Sequence, residues 1–226
     1  MGRAGPHAGA ALGGLKRVAI TTAELAAALE EFAERIHRAR DELTALDSAI
    51  GDADHGINME RGFNAVREAL PELRDGDPGT LLKQTGRKLI STVGGASGPL
   101  YGTFFLRFGS ALGDVAELAG ADLAKGIRAG LDGVMAIGKA GLDDKTMLDA
   151  MIPAVEALES GAEGDLRPAL AAAAEAAAAG RDRVTPLVAR KGRASYLGER
   201  SAGHQDPGAT STTILFETLR DTLGTA

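Results

Sequence analysis

Apolar residues recur at alternating steps of four and three positions through most of this chain of 226 residues. The clearest run follows Ile20 and consists of Leu25, Leu29, Phe32, Ile36, Ala39, Leu43 and Leu46. This spacing matches the 3.6-residue period of an amphipathic α-helix, whose apolar stripe must be covered by another element. Thr21, with Glu24 three residues later, predicts a capping box, so we expect the helix to begin there.

Seven further segments carry the same period. They are residues 59–70, expected to end at Pro71, a segment from about Thr80 to Val93, and residues 101–112, 123–134, 147–158, 166–189 and 212–223. No segment alternates apolar and polar residues as a half-buried strand would. Because the connections are short and rich in Gly, Asp and Pro, the sequence predicts one all-α domain, a bundle or barrel of about eight antiparallel helices.

Composition excludes several classes of protein. The chain has no cysteine, which excludes disulfide scaffolds, thiolate zinc sites and cysteine nucleophiles and favours the cytoplasm. A formal net charge of -6 with 4% aromatic residues argues against nucleic-acid binding. No run reaches the roughly 18 to 20 apolar residues of a membrane span. Residues 1–17 lack the apolar centre of a signal peptide, so we expect a disordered extension before a folded domain of residues 18–226.

The connection after the first predicted helix concentrates negative charge. Asp47, Asp52 and Asp54 fall within eight residues, and three carboxylates drawn together in a folded loop repel one another unless a cation joins them. Oxygen ligands suit Mg²⁺ or Ca²⁺. An EF-hand that starts at Asp52 does not fit, because Ile57 occupies the position of its glycine and Phe63 that of its glutamate. The alternative is that these aspartates cap helices and form turns.

Two other connections carry groups that bind anions. Residues 93–102 place several glycines and Ser97 before a helix, where backbone amides can meet a phosphate, although glycines there could equally permit close helix packing. Residues 191–210 contain Arg193 and Arg200, which could bind phosphate or stay solvated. In the same connection Asp206 followed by Pro207 predicts the start of the last helix.

Four segments in order, LDSAIGDADHGIN, GGASGPLYGTFF, DDKTMLDA and KGRASYLGERSAGHQDPGAT, closely resemble the nucleotide-binding L subunit of dihydroxyacetone kinases. The likeness runs from about Thr21 to Leu219. It implies a barrel of eight antiparallel amphipathic helices whose loops at one end hold ADP or ATP through two magnesium ions.

The resemblance also implies the residues of the site. Asp47, Asp52 and Asp54 would ligate the metals. The nucleotide contacts that it implies are His55, Gly56, Ile57, Asn58, Ala96, Ser97, Gly138, Met147, Arg193, Asp206, Pro207 and Gly208. No catalytic base is expected in this chain, because the family places the acid and base groups on a separate K subunit that binds dihydroxyacetone.

By this resemblance, the chain passes a phosphoryl group to the K subunit's substrate, and its ADP is rephosphorylated in place by the M subunit of the phosphotransferase system. One alternative is an ATP-dependent subunit acting on dihydroxyacetone or another small ketose or sugar acid. Another is a nucleotide-sensing module that binds a transcription regulator. A third alternative is a metal-binding bundle without nucleotide. A homodimer is a candidate assembly for any of these functions.

Overall fold

The computed structural model describes residues 19–224. Its helices are α1 (Thr22–Ile50), α2 (His55–Leu73), α3 (Pro78–Thr92), α4 (Ser97–Leu112), α5 (Gly120–Gly138), α6 (Leu148–Gly161), α7 (Leu166–Val184), a 3₁₀ helix (Arg193–Ser201) and α8 (Pro207–Leu223). Extended pairing within the described range amounts to one antiparallel bridge between Ile20 and Leu118. The all-α prediction is therefore confirmed. The extension predicted for residues 1–17 lies outside the described residues.

The eight α-helices form a closed ring. Each contacts its neighbour in the chain, and α8 contacts α1. The ends of α1 and α5 line the same cavity as the beginnings of α2, α4, α6 and α8. Odd-numbered helices therefore run toward this end of the ring, which we call the cavity end, and even-numbered helices run away from it toward the far end. The arrangement is the predicted barrel of antiparallel helices.

Local sequence signals account for the start of α1. Thr21 caps α1 as predicted, because its hydroxyl accepts a hydrogen bond from the Glu24 amide at 3.2 Å while the Thr21 amide donates to the Glu24 carboxylate at 2.7 Å. Inside the ring, the Phe63 ring packs edge-on against Phe32, Tyr101 and Phe105, with centroid distances of 4.6, 6.3 and 6.2 Å. This cluster ties α1, α2 and α4 together at the centre of the core.

Two predicted boundaries of the early helices are wrong by a few residues. The second helix does not end at Pro71 but continues to Leu73, because the Arg74 amide still reaches the Leu70 carbonyl at 3.0 Å. Pro71, the third residue from the end of α2, removes one backbone donor, but the turn that follows it still forms. The third helix begins at Pro78 rather than near Thr80, since the Asp77 carboxylate accepts from the Thr80 amide at 2.7 Å and caps it.

The predicted end of the seventh helix at Ala189 is also wrong. This helix ends at Val184, where the Thr185 amide bonds to the Asp182 carbonyl in a tighter turn. Beyond it, the Ala189 amide donates to the Ser201 hydroxyl at 2.8 Å, a tertiary contact that the alanine-rich sequence does not announce. The last helix begins at Pro207 with Asp206 as its cap, as that sequence pair predicts.

None of the helices in residues 19–224 is both long and apolar enough to cross a membrane.

Candidate functional site

A cavity of about 390 Å³ opens at the cavity end of the barrel. This volume is in the range of about 300 to 1,000 Å³ that small-molecule sites occupy. Most residues predicted for the site line it, namely Asp47, Asp52, Asp54, His55, Ala96, Ser97, Gly138, Met147, Arg193, Asp206, Pro207 and Gly208. Residues from four separate connections and from the end of α5 therefore meet in one place.

Three predicted contacts do not line this cavity. Gly56 lies against α1, where an added Cβ would come within 2.0 Å of the Arg40 carbonyl oxygen, so this glycine permits the close approach of α2 to α1. Ile57 is 42% exposed on the first turn of α2. Asn58 is buried and accepts a hydrogen bond from the Arg61 guanidinium. Contacts of these residues with a nucleotide stay predictions.

The three aspartates converge. One carboxylate oxygen from each of Asp47, Asp52 and Asp54 lies within 4.8 Å of the other two. Asp47 is buried in the last turn of α1, and its Oδ2 accepts from the Asp54 and His55 amides at 2.8 and 3.0 Å. Ala53, with φ of 60°, turns the chain so that Asp52 and Asp54 come back toward Asp47. The loop thus holds three acidic side chains together by its backbone.

Capping does not explain this cluster. Asp54 occupies the N-cap position of α2, but its side chain makes no capping hydrogen bond. Asp52 pairs with Arg193, with 2.8 Å between Oδ2 and the guanidinium. Of the three carboxylates, that of Asp47 alone accepts backbone amides at the start of α2. A set of hard oxygen ligands with two carboxylates free of capping duty fits a divalent cation such as Mg²⁺.

A buried polar chain connects the helices that begin beside the aspartates. The His55 ring lies 3.0 Å from the Ser97 hydroxyl through Nδ1 and 3.0 Å from the Ser211 hydroxyl through Nε2. The Tyr101 hydroxyl lies 2.8 Å from that of Ser211. Burial lowers the pKa of His55 to about 4, against the opposing charge of Asp47, and raises the pKa of Tyr101 to about 12. Both groups are therefore neutral at neutral pH, and they hold α2, α4 and α8 in register.

Asp206 adds a further carboxylate to the cavity lining. Its carboxylate caps α8 by accepting from the Ala209 amide at 2.7 Å. Burial raises the pKa of Asp206 to about 7, and the negative charges of Asp149 and Asp47 act in the same direction, while Lys145 opposes them. The remaining lining is largely apolar and includes Ile50, Leu100, Val134, Ile137, Ala140 and Leu148. Such a cavity suits a ligand with one charged part and one uncharged, flat part.

Sequence reasoning missed one buried charged residue of this region. Lys145 lines the cavity and is fully buried, and its ammonium donates to the carbonyls of Thr185, Leu187 and Ser201 at 2.7, 2.8 and 2.7 Å. Burial lowers the pKa of Lys145 below its usual value, and the charge of Asp206 opposes that shift. The DDKTMLDA segment was part of the resemblance, but nothing in it distinguishes a buried lysine from a solvated one.

Known proteins are similar to this chain in sequence. The family model of the DAK2 domain matches residues 49–221. The chain belongs to the DAK2 domain family. This DAK2 chain is 51% identical over 179 residues to the ADP-binding subunit DhaL of the PEP-dependent dihydroxyacetone kinase of Escherichia coli, covering 78% of the chain and 85% of that protein. It is 40% identical over 193 residues to the ADP-binding subunit DhaL of the PTS-dependent dihydroxyacetone kinase of Lactococcus lactis, covering 84% and 92%.

A solved structure shares the fold as well. The dihydroxyacetone kinase from C. freundii in complex with AMP-PNP and Mg²⁺ superposes with a TM-score of 0.70 at 25% identity. The match covers 98% of the DAK2 chain and 38% of that kinase. The chain therefore spans little more than a third of that protein. The family resemblance drawn from the four sequence segments is confirmed.

Proposed function

We propose that this chain is the nucleotide-binding subunit of a dihydroxyacetone kinase and that it holds ADP or ATP with two magnesium ions. The observation that carries the proposal is the convergence of Asp47, Asp52 and Asp54 at a cavity that also has an apolar wall. Carboxylates suit the metal, and the apolar wall suits a base. The relatives with the same fold are kinase subunits that bind ADP.

The chain's own residues divide the work of binding. Asp47, Asp52 and Asp54 hold the magnesium ions, which when bound neutralise the charge that develops on the β- and γ-phosphates. Ser97 lines the cavity at the first residue of α4, and the start of a helix favours a phosphate. Arg193, already paired with Asp52, supplies positive charge within reach of the same phosphates.

Acid and base groups are proposed to come from another protein. Both ring nitrogens of His55 lie within hydrogen-bond distance of serine hydroxyls, so this histidine serves to orient its neighbours. A separate K subunit that carries dihydroxyacetone would supply the proton transfer. The M subunit of the phosphotransferase system would rephosphorylate ADP in place, and the compartment would be the cytoplasm. A transcription regulator is a further partner of the same surface.

An apolar rim supports the docking of a partner at the cavity end. The exposed large apolar residues of the described chain lie in the helix ends, the 3₁₀ helix and the α5–α6 connection at this end, and they are Ile57, Ile90, Met135, Ile137, Leu142 and Tyr196. Exposed apolar side chains gathered at one end of a protein are typical of a surface that another protein covers. Tyr196, which is 85% exposed, is the most prominent of them.

The first experiment identifies the nucleotide. The chain is purified with magnesium, desalted and denatured, and any released nucleotide is identified by mass spectrometry. We expect retained ADP, as a fixed cofactor requires. A chain that is released empty but binds added Mg-ATP reversibly would replace this mode with exchangeable ATP. A chain that binds neither would overturn the proposal.

The second experiment tests transfer. The chain is mixed with a K subunit and dihydroxyacetone, and phosphoryl transfer is measured with either ATP or the phosphorylated M subunit as donor. Transfer from the M subunit is expected, and no transfer from any donor would leave the regulatory module as the better interpretation.

Tyr196→Ala should weaken K-subunit binding without loss of ADP. Glu163→Ala, an exposed change at the far end, is its control.

A further inference from the structure

Lys145 is a buried cation whose bonding capacity is fully used. Among residues 19–224 it is the only lysine or arginine that is buried. An ammonium has three protons to donate, and the three acceptors of Lys145 are backbone carbonyls at 2.7 to 2.8 Å. A charge removed from water is retained only when such partners compensate for lost hydration. The position therefore has a specific demand for an ammonium group.

The three carbonyls enclose the 3₁₀ helix Arg193–Ser201. Thr185 and Leu187 precede it, and Ser201 is its last residue. One ammonium thus joins the two ends of the segment that carries Arg193. A backbone pair adds to this, since the Asp144 carbonyl accepts from the amides of Arg190 and Lys191 at 3.0 and 3.3 Å.

The segment needs anchoring at that point. Gly192 has a φ of 68°, and an added Cβ there would have no atom within 4 Å, so the chain just before Arg193 lies in open space on that side. Lys145 itself has a φ of 62°, and the turn that holds it is fixed by Asp149, whose carboxylate accepts from the amides of Asp143 and Thr146 at 2.5 and 2.9 Å. Asp149 of α6 therefore fixes the turn that holds Lys145, and Lys145 in turn fixes the backbone around the 3₁₀ helix.

We propose that Lys145 is a positioning residue, which places Arg193 beside the metal-binding carboxylates by binding the backbone on both sides of the 3₁₀ helix. Its consequence for nucleotide binding rests on the function proposed above, whereas its effect on the segment does not. Lys145 acts through Arg193, which pairs with Asp52 at 2.8 Å. Loss of Lys145 should therefore matter for ADP only while Arg193 is present.

The first test follows the segment in the nucleotide-free chain. In Lys145→Met, amides of residues 189–203 should exchange hydrogen about tenfold faster or more, because three charge-assisted bonds are lost. In Lys145→Gln, which keeps an amide donor, the exchange rate should fall between those of wild type and Lys145→Met. Lys139→Met changes an exposed lysine in the same connection and should leave exchange unchanged. Equal exchange of residues 189–203 in wild type and both Lys145 variants would overturn the proposal.

The second test is a double-mutant cycle on the rate of Mg-ADP dissociation. Lys145→Met should raise this rate about tenfold in the wild-type background and no more than about twofold in Arg193→Ala. Equal effects in both backgrounds would mean that Lys145 acts on the fold alone, which would refute the positioning role. If Lys145→Met does not fold, Lys145→Gln takes its place in the cycle. If even the wild type binds no ADP, the proposed function fails, and the exchange data still decide the positioning role.

Discussion

Helices that begin at the two ends of the barrel differ in whether a side chain caps their first amides. At the far end, α1, α3 and α7 begin at Thr21, Asp77 and Asp165, and each of these side chains accepts a hydrogen bond from an amide of the first turn. The fourth helix that begins there, α5, has no side-chain cap at Ala119. At the cavity end, the N-cap residues of α2, α4 and α6 make no such bond, and only α8 is capped, by Asp206. Three of the four helices that begin at the far end therefore have a side-chain cap, against one of four at the cavity end, where more helix amides stay available to a ligand.

Backbone strain follows the same division. The non-glycine residues with positive φ in the described chain, Ala53, Lys139, Asp143 and Lys145, all lie in connections at the cavity end. Such conformations cost about 1 to 3 kcal/mol each and persist only where surrounding contacts impose them. The far end is therefore built for stability and the cavity end for binding, and changes at the two ends should separate these properties.

The largest expected effect is that of Asp54→Asn at the cavity end. Loss of one anionic ligand should weaken Mg-dependent ADP binding about a hundredfold or more, since even the outer partners of a metal are worth ten- to a hundredfold. The helices should stay intact, because the Asp54 side chain makes no capping bond. Calorimetric titration with Mg-ADP and circular dichroism measure the two properties.

The control for Asp54→Asn is the same chemical change at the far end. Asp77→Asn keeps a good N-cap residue and removes one negative charge, so ADP affinity should not change. If Asp54→Asn bound Mg-ADP as tightly as Asp77→Asn does, the assignment of Asp54 as a metal ligand would be wrong.

Sequence predicts structure best where the contacts that decide it are close along the chain. The capping pair of Thr21 and Glu24 and the Asp-Pro pair at Asp206 fix helix starts through contacts over three residues, which a sequence contains in full. The apolar period fixes which face of each helix is buried, as the buried positions Phe32 and Phe63 confirm. Helix number and the antiparallel order of neighbours follow from these signals and from short connections, whereas the closed barrel was implied by the family resemblance.

The cavity end depends on contacts that sequence does not contain. The predicted end of α7 fails because Ala189 bonds to Ser201, twelve residues later and in another element. Lys145 could not be distinguished because its acceptors lie 40 to 56 residues away in sequence. The aspartate cluster was predicted because its three members are close in sequence. Most of the other residues that line the cavity were predicted through the family resemblance, not from their spacing.

A smaller effect is expected for Gly51→Ala, which changes the cavity end without removing a ligand. An added Cβ at Gly51 would lie 2.0 Å from Asp47 Oδ1, so the Asp47 carboxylate must move. We expect Mg-ADP affinity to fall about tenfold, the lower range for disturbing a ligand's support. Gly141→Ala, with no atom within 4 Å of its added Cβ, is the matched control in the same assay. Equal affinities for the two variants would show that the position of Asp47 does not limit binding.

The smallest effect on the site, and a clear one on stability, is expected for Asp77→Ala at the far end. Loss of this cap should lower the free energy of unfolding by about 1 kcal/mol at neutral pH, measured by urea denaturation, while ADP affinity stays the same. Hydrogen bonding with Thr80 holds the pKa of Asp77 below its ordinary 3.8. The carboxylate's contribution is thus present above that value and lost as the pH falls through the folded pKa, so wild type and variant should converge in acid. A fall in ADP affinity in Asp77→Ala would mean that the two ends are coupled through the helices, and the separation of stability from binding would not hold.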